Sequence, residues 1–188
     1  MEITTKYFTN VSQETTSKVL ERVRQFLKEH IDIEQVVVAT TEGTTGLLFA
    51  KAFGAKTIVV THHTGFRQPN FNEIDPDKKK QTENQGATVL TTTHAFAGIA
   101  RGIRNALQTY STTEILAYAY RTFGQGTKVC AEIAMMAADA GLVPVDKDVI
   151  CVGGTGRGAD TAWLVRPTNT SNFISLKMRA CICKPLDF

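Results

Sequence analysis

Four short apolar runs, spaced by helix-length segments, constrain the fold of this 188-residue chain more than any other feature. Val36, Val37, Val38 and Ala39 form the first; residues 57–61, 88–91 and 148–152 form the others. The first run is too short and too apolar for a surface helix and reads as a strand buried on both faces, and the others repeat its rhythm. Such strands alternating with helices imply right-handed βαβ units. The expected fold is therefore α/β, three-layered, with a mostly parallel doubly wound sheet.

The intervening segments carry helix signals. Ser12 is placed to cap a helix running to about residue 30, with Val19, Leu20, Val23, Phe26 and Leu27 on its buried face. Residues 47–53 read as a short helix stopped by Gly54. Asp75 and Pro76 give the cap and first position of another, ended by Gly86. Residues 95–107 read as helical. Ser111 with Glu114 matches a capping box, and residues 128–140 form a further helix after the break at Gly124 and Gly126. Near the end the period changes. Ile174, Leu176, Met178, Ala180 and Ile182 alternate as in a half-buried strand, with residues 161–165 as an antiparallel neighbour at the C-terminal edge of the sheet. A single domain over residues 1–188 is expected, since no linker or repeat interrupts the pattern.

Charge and composition exclude several functions. The net charge of +3 is too small, and the basic residues too scattered, for nucleic-acid binding. Lys78, Lys79 and Lys80 sit among Asp75, Asp77 and Glu83, as on a solvated helix face. No apolar run reaches membrane-spanning length, and the first residues lack a signal pattern, so a cytoplasmic location is expected. Cys130, Cys151, Cys181 and Cys183 form no Cys-x-x-Cys pair and read as reduced structural thiols. No metal is expected, although His62, His63 and His94 follow adjacent strands.

In doubly wound sheets ligands bind at the carboxyl ends of the strands. Residues 40–46, 62–66, 91–96 and 153–160 all fall there. Thr40, Thr41, Glu42, Gly43, Thr44, Thr45 and Gly46 make a turn from a buried strand into a helix. Free backbone N–H groups, the positive helix end, threonine hydroxyls and glycines that admit close approach together suit a phosphate monoester. A plain tight turn is the competing reading. Gly154, Thr155, Gly156 and Arg157 suit a second ligand wall, with Arg157 available to a phosphate or carbonyl. Ala159 and Asp160 stand where a P-loop has Lys and Ser or Thr, so nucleoside triphosphate hydrolysis is unsupported. Gly124, Gln125, Gly126 and Lys128 precede another helix, with Gln125 and Lys128 as ligand donors or, equally, parts of a helical hairpin. His62, Gly65 and Phe66 complete the candidate site. Phe66 and Phe123 suit an aromatic ligand ring or ordinary core packing. No catalytic triad can be argued from spacing.

Residues 38–46 resemble the strand and T-x-x-G-x-[ST]-[AG] turn of the pyruvate kinase C-terminal domain, matching at Thr40, Gly43, Thr45 and Gly46. Ile58, Val59, Val60 and Thr61 look like its second strand, and residues 148–154 like its last parallel strand and loop. The chain is similar to stand-alone proteins of that kind. The resemblance implies a regulatory rather than catalytic unit, in which the turn takes the phosphate of a sugar bisphosphate. Phosphotransfer from phosphoenolpyruvate is not implied, because the catalytic barrel is a different domain. Stand-alone relatives imply flavin mononucleotide as cofactor, its phosphate on the first turn and its ring near the glycine-rich loops and Phe66. Two alternatives remain open: a flavin-dependent oxidoreductase with Arg157 or Lys128 near the flavin carbonyl, and a sugar-phosphate sensor. The expected partner is a phosphorylated small molecule, with self-association into a homo-oligomer left open.

Overall fold

In the computed structural model, which describes residues 3–12 and 14–188, the strands share one seven-stranded sheet. The elements are β1 (Lys6–Phe8), α1 (Thr15–Glu29), β2 (Val36–Ala39), α2 (Thr44–Phe53), β3 (Thr57–Thr61), α3 (Pro76–Asn84), β4 (Thr88–Thr91), α4 (Gly98–Leu107), α5 (Thr112–Arg121), α6 (Gln125–Asp139), β5 (Val149–Gly153), β6 (Thr161–Arg166) and β7 (Lys177–Pro185). The sheet order is β1-β7-β6-β5-β2-β3-β4. Strands β2, β3, β4 and β5 are parallel. Only β6 runs against its neighbours β5 and β7, while β1 pairs parallel to β7.

The two-residue period of the strands divides the core between two layers. Val36, Val38, Val59, Ile150 and Val152 face α1 and α2, where they meet Val19, Val23, Phe26 and Phe49. Val37, Ile58, Val60, Val149 and Cys151 face α6, where they meet Cys130, Ile133, Ala134 and Ala137. Burial on both faces is why these strands read as unbroken apolar runs. The chain builds β2, β3 and β4 outward, then crosses through α4, α5 and α6 to place β5 on the other side of β2. The reversal of direction at β2 and β5 opens a crevice at their carboxyl ends.

Several local expectations are corrected. Ser12 does not cap α1 with its hydroxyl; its N–H donates to Thr15 Oγ1 at 2.9 Å, and Glu14 holds the N-cap position. The capping box at Ser111 does not form. The Ser111 hydroxyl pairs with that of Thr113, while the Glu114 carboxylate turns inward to Arg104. Helix α6 starts at Gln125 rather than residue 128, because one residue with positive φ, Gly124 (φ +109), suffices to separate it from α5. Helix α4 starts at Gly98 rather than residue 95. Ile174 is 95% exposed in the 3₁₀ segment Thr170–Ser175 rather than in a strand. Asp139 holds that segment by accepting from the Thr170 N–H and hydroxyl, so the strand alternation begins only at Lys177.

Among the described residues no helix is long and apolar enough to cross a membrane. All four cysteines are free. Burial pushes the Cys181 thiol up to about 11 and that of Cys183 up to about 12, which makes both poor nucleophiles at neutral pH.

Candidate functional site

The carboxyl ends of β2, β3, β4 and β5 lie along one edge of the sheet, so their loops are neighbours. The Asp75 N–H donates to the Glu42 carbonyl at 3.3 Å, joining the β3 loop to the β2 turn. Arg157 at the tip of the β5 loop lies 3.2 Å from the Glu42 carboxylate. The turn at residues 40–46 and the tip of the glycine-rich loop are thus brought together across the crevice.

Within the turn the roles separate. The buried Thr40 hydroxyl accepts from the Gly43 and Gly46 N–H groups at 3.2 and 3.3 Å. Its lone pairs hold the turn closed, while its own O–H has no acceptor among the described residues. Gly43 adopts φ +97, which a side chain rarely tolerates. A Cβ on Gly46 would lie 2.5 Å from Val59 Cγ1. Gly46 therefore lets α2 approach the sheet; it does not open space for a ligand, as the sequence suggested. The amides of Thr44 and Thr45, in the first turn of α2, have no acceptor among the described residues. Thr45 is buried, Thr41 half-buried and Thr44 exposed.

The β5 loop is tied at its base. The buried Asp160 carboxylate accepts from the Thr155 N–H at 2.8 Å and the Thr161 hydroxyl at 2.6 Å. A Cβ on Gly154 would lie 2.4 Å from the Gly158 carbonyl, so that glycine serves the loop's own closure, while a Cβ on Gly156 meets nothing. Gly126 is likewise a packing glycine, since its Cβ would lie 2.2 Å from Thr161 Oγ1. Gly124 lies against Phe188, and Gly65 (φ +86) faces open space.

His62, Phe66, Gln125 and Lys128 gather elsewhere, around a pocket of about 170 Å³ between α4, α5 and α6. The Phe66 ring stacks on His62 at 4.0 Å and on His94 at 5.1 Å, with the Arg101 guanidinium 4.1 Å from its centroid. Its faces are engaged by the protein rather than kept for a flavin. His62 Nδ1 lies 2.6 Å from Glu73, which also pairs with Arg67 at 2.8 Å. Burial lowers the His62 pKa, and the Glu73 hydrogen bond opposes this only in part. Phe123 is exposed on the surface. The three histidines do converge, His63 and His94 rings lying 5.5 Å apart, yet among the described residues no metal-binding group of three or more ligands forms.

Sequence reasoning missed Glu132. Its carboxylate accepts from the Phe96 N–H at 3.0 Å, pairs with the Lys128 ammonium, and faces His94 Nδ1 at 3.4 Å. Burial alone would raise its pKa, but the His94 hydrogen bond and the Lys128 charge outweigh this and bring it to about 2. Burial lowers the Lys128 pKa despite that partner. A visible signal was there: Lys128 and Glu132 stand four apart on a helix whose other residues from 130 to 138 are apolar and buried. A wider groove of about 640 Å³ lies between residues 3–6 and α1. It opens at the amino ends of the strands, away from these loops, and is lined by solvent-facing polar side chains such as Glu21 and Gln25.

The family model of the pyruvate kinase alpha/beta domain matches residues 18–165, from α1 through β6. The chain belongs to that family. Strands β1 and β7, which extend the sheet past β6, lie outside the matched region.

Proposed function

We propose that this member of the pyruvate kinase alpha/beta-domain family binds a phosphorylated small molecule, with flavin mononucleotide as the leading ligand, and transfers no phosphate from phosphoenolpyruvate. One observation carries the reading. The Thr44 and Thr45 amides stand unpaired at the positive end of a 10-residue helix, with Arg157 held nearby by Glu42 at 3.2 Å. A phosphate dianion would take those amides and draw Arg157 away from Glu42. The ligand's remainder would lie along the open tip of the β5 loop at Gly156. The pocket between α4, α5 and α6 is too small for it: about 170 Å³ against the roughly 300 Å³ or more that a drug-sized ligand occupies.

Family membership favours one second reading, a sugar-phosphate sensor using the same turn. Titration of flavin fluorescence with the protein separates these readings. Flavin mononucleotide is expected to bind about ten-fold or more tightly than riboflavin, which lacks the phosphate. Thr44→Glu, which puts a carboxylate at the free amides, is expected to remove that preference. Equal affinity for both flavins, or none for either, would overturn the flavin reading, and displacement by a sugar bisphosphate alone would select the sensor. Reduction of the bound flavin by a nicotinamide donor would extend the function to flavin-dependent redox chemistry.

A further inference from the structure

The pocket between α4, α5 and α6 makes two demands that the protein itself leaves unmet. The first is for negative charge. Arg104 pairs with Glu114 at 3.3 Å and Lys128 pairs with Glu132. Arg101 and Arg121 also line the pocket, and among the described residues neither has a carboxylate within ion-pair distance. Arg101 lies over the Phe66 ring, and Arg121 donates only its Nε, to Gln125 at 2.7 Å. Two guanidinium forks therefore face the pocket without an anion.

The second demand is for hydrogen-bond donors. Glu114 has a side chain only 9% exposed, and its Oε2 has no partner. His94 Nε2 is also buried without a partner. Its other ring nitrogen faces the Glu132 carboxylate at 3.4 Å, and in the neutral ring with its proton on Nδ1 the Nε2 atom is an acceptor. Buried acceptors without donors are costly and are rarely left so.

We propose that this pocket is a second ligand site, distinct from the α2 turn, for a small carboxylate that carries a hydroxyl or ammonium group beside it. The carboxylate meets Arg101 and Arg121, and the donor meets the buried acceptors: an ammonium serves both Glu114 Oε2 and His94 Nε2, whereas a hydroxyl, with one O–H, serves one of them. A bare carboxylate leaves the two acceptors unmet, and a bare amine leaves the guanidiniums unmet. Size agrees. The pocket holds about 170 Å³, and a cavity of about 150 Å³ admits a molecule the size of benzene. Helix α4, which supplies Arg101 and Arg104, buries none of its residues and makes a lightly anchored outer wall.

The test is an amide chemical-shift titration with four probes: acetate, methylammonium, L-lactate and L-alanine. The reporters are Phe96, whose N–H is bonded to Glu132, and Gln125. Lactate or alanine is expected to move these amides saturably, about ten-fold or more tightly than acetate or methylammonium. A lactate preference identifies a hydroxyl donor, and an alanine preference an ammonium. Glu114→Gln turns its carboxamide oxygen to Arg104 and its NH₂ to the ligand, and is expected to weaken the preferred probe by about ten-fold or more. Arg121→Gln, at a half-buried position, is expected to weaken it as well. Thr44→Glu should leave it unchanged, so loss of the phosphate site and loss of this one are read separately. The proposal falls if no probe moves these amides, if acetate binds as tightly as lactate and alanine, or if both pocket variants bind as the parent does.

Discussion

Gly46, in the first turn of α2, and Gly156, in the β5 loop, both suggested ligand approach, yet their surroundings assign them opposite sensitivities. A Cβ at Gly46 would lie 2.5 Å from Val59 Cγ1 and 3.2 Å from Cγ2, inside a packed core. Its φ is not positive, so the obstacle is steric rather than conformational. Gly46→Ala is expected to destabilise by about 1–3 kcal/mol through overpacking. Alanine's better helix propensity works against that loss, by up to about 1 kcal/mol, which makes the test stringent. At Gly156 nothing lies within reach of a Cβ, and φ is again not positive. Gly156→Ala should change stability by less than about 0.5 kcal/mol. Urea unfolding of the two variants checks the pair. Equal midpoints would mean that α2 does not press on β3 as described.

Among the elements, those with a packed two-sided environment were legible and those defined by one or two contacts were not. Strands β2 and β3 announce themselves because Val36–Val38 and Ile58–Val60 are buried on both faces and are wholly apolar, the threonines standing only at the ends of β3. Helix α3 was legible because Asp75 accepts from the Asp77 and Lys78 amides, a local bond written in adjacent residues. Strand β1 was not, since of Lys6, Tyr7 and Phe8 only Phe8 is buried and its pairing partner lies at the far end of the chain. Glu114 had the right spacing for a capping box, but a cationic neighbour on α4 took its carboxylate; tertiary charge overrode a local rule. The turn at residues 40–46 was legible as a turn, whereas the pocket was not, because its charged groups come from α4, α5 and α6 together. Helix α4 carries a clear prediction at this scale. Ile99 and Leu107 are 83% and 70% exposed, and α4 buries no residue. Ile99→Ser with Leu107→Ser should leave the unfolding midpoint within about 0.5 kcal/mol of the parent, since neither side chain belongs to the core. A larger loss would show that these two side chains are covered in solution, and a simultaneous fall in mass by sedimentation would identify a second copy as the cover.

Over the whole molecule, the crossing from β4 to β5 is the longest connection in the sheet, and Glu132 is where it is fastened. That carboxylate takes the Phe96 N–H from the loop after β4, faces His94 of the same loop, and pairs with Lys128 on its own helix. The helical layer and the carboxyl ends of the strands are joined through one buried anion. Its folded pKa of about 2 lies below the unfolded value of 4.5. The folded state therefore binds the proton less readily than the unfolded chain. Stability from this group is fully present above pH 4.5 and is lost as the pH falls toward 2. Glu132→Gln is expected to lower stability at neutral pH by about 3–5 kcal/mol, because the Lys128 ammonium is left buried without its counter-charge. Over the acid range the variant should also lose less stability than the parent, having no carboxylate to protonate there. Replacing both residues, as Lys128→Met with Glu132→Gln, should recover part of the neutral-pH loss by removing the unpaired cation. Urea midpoints for parent, single and double variants, followed from neutral pH into acid, measure all three expectations. Parallel acid slopes in the parent and Glu132→Gln would show that the crossing is fastened by something other than this carboxylate.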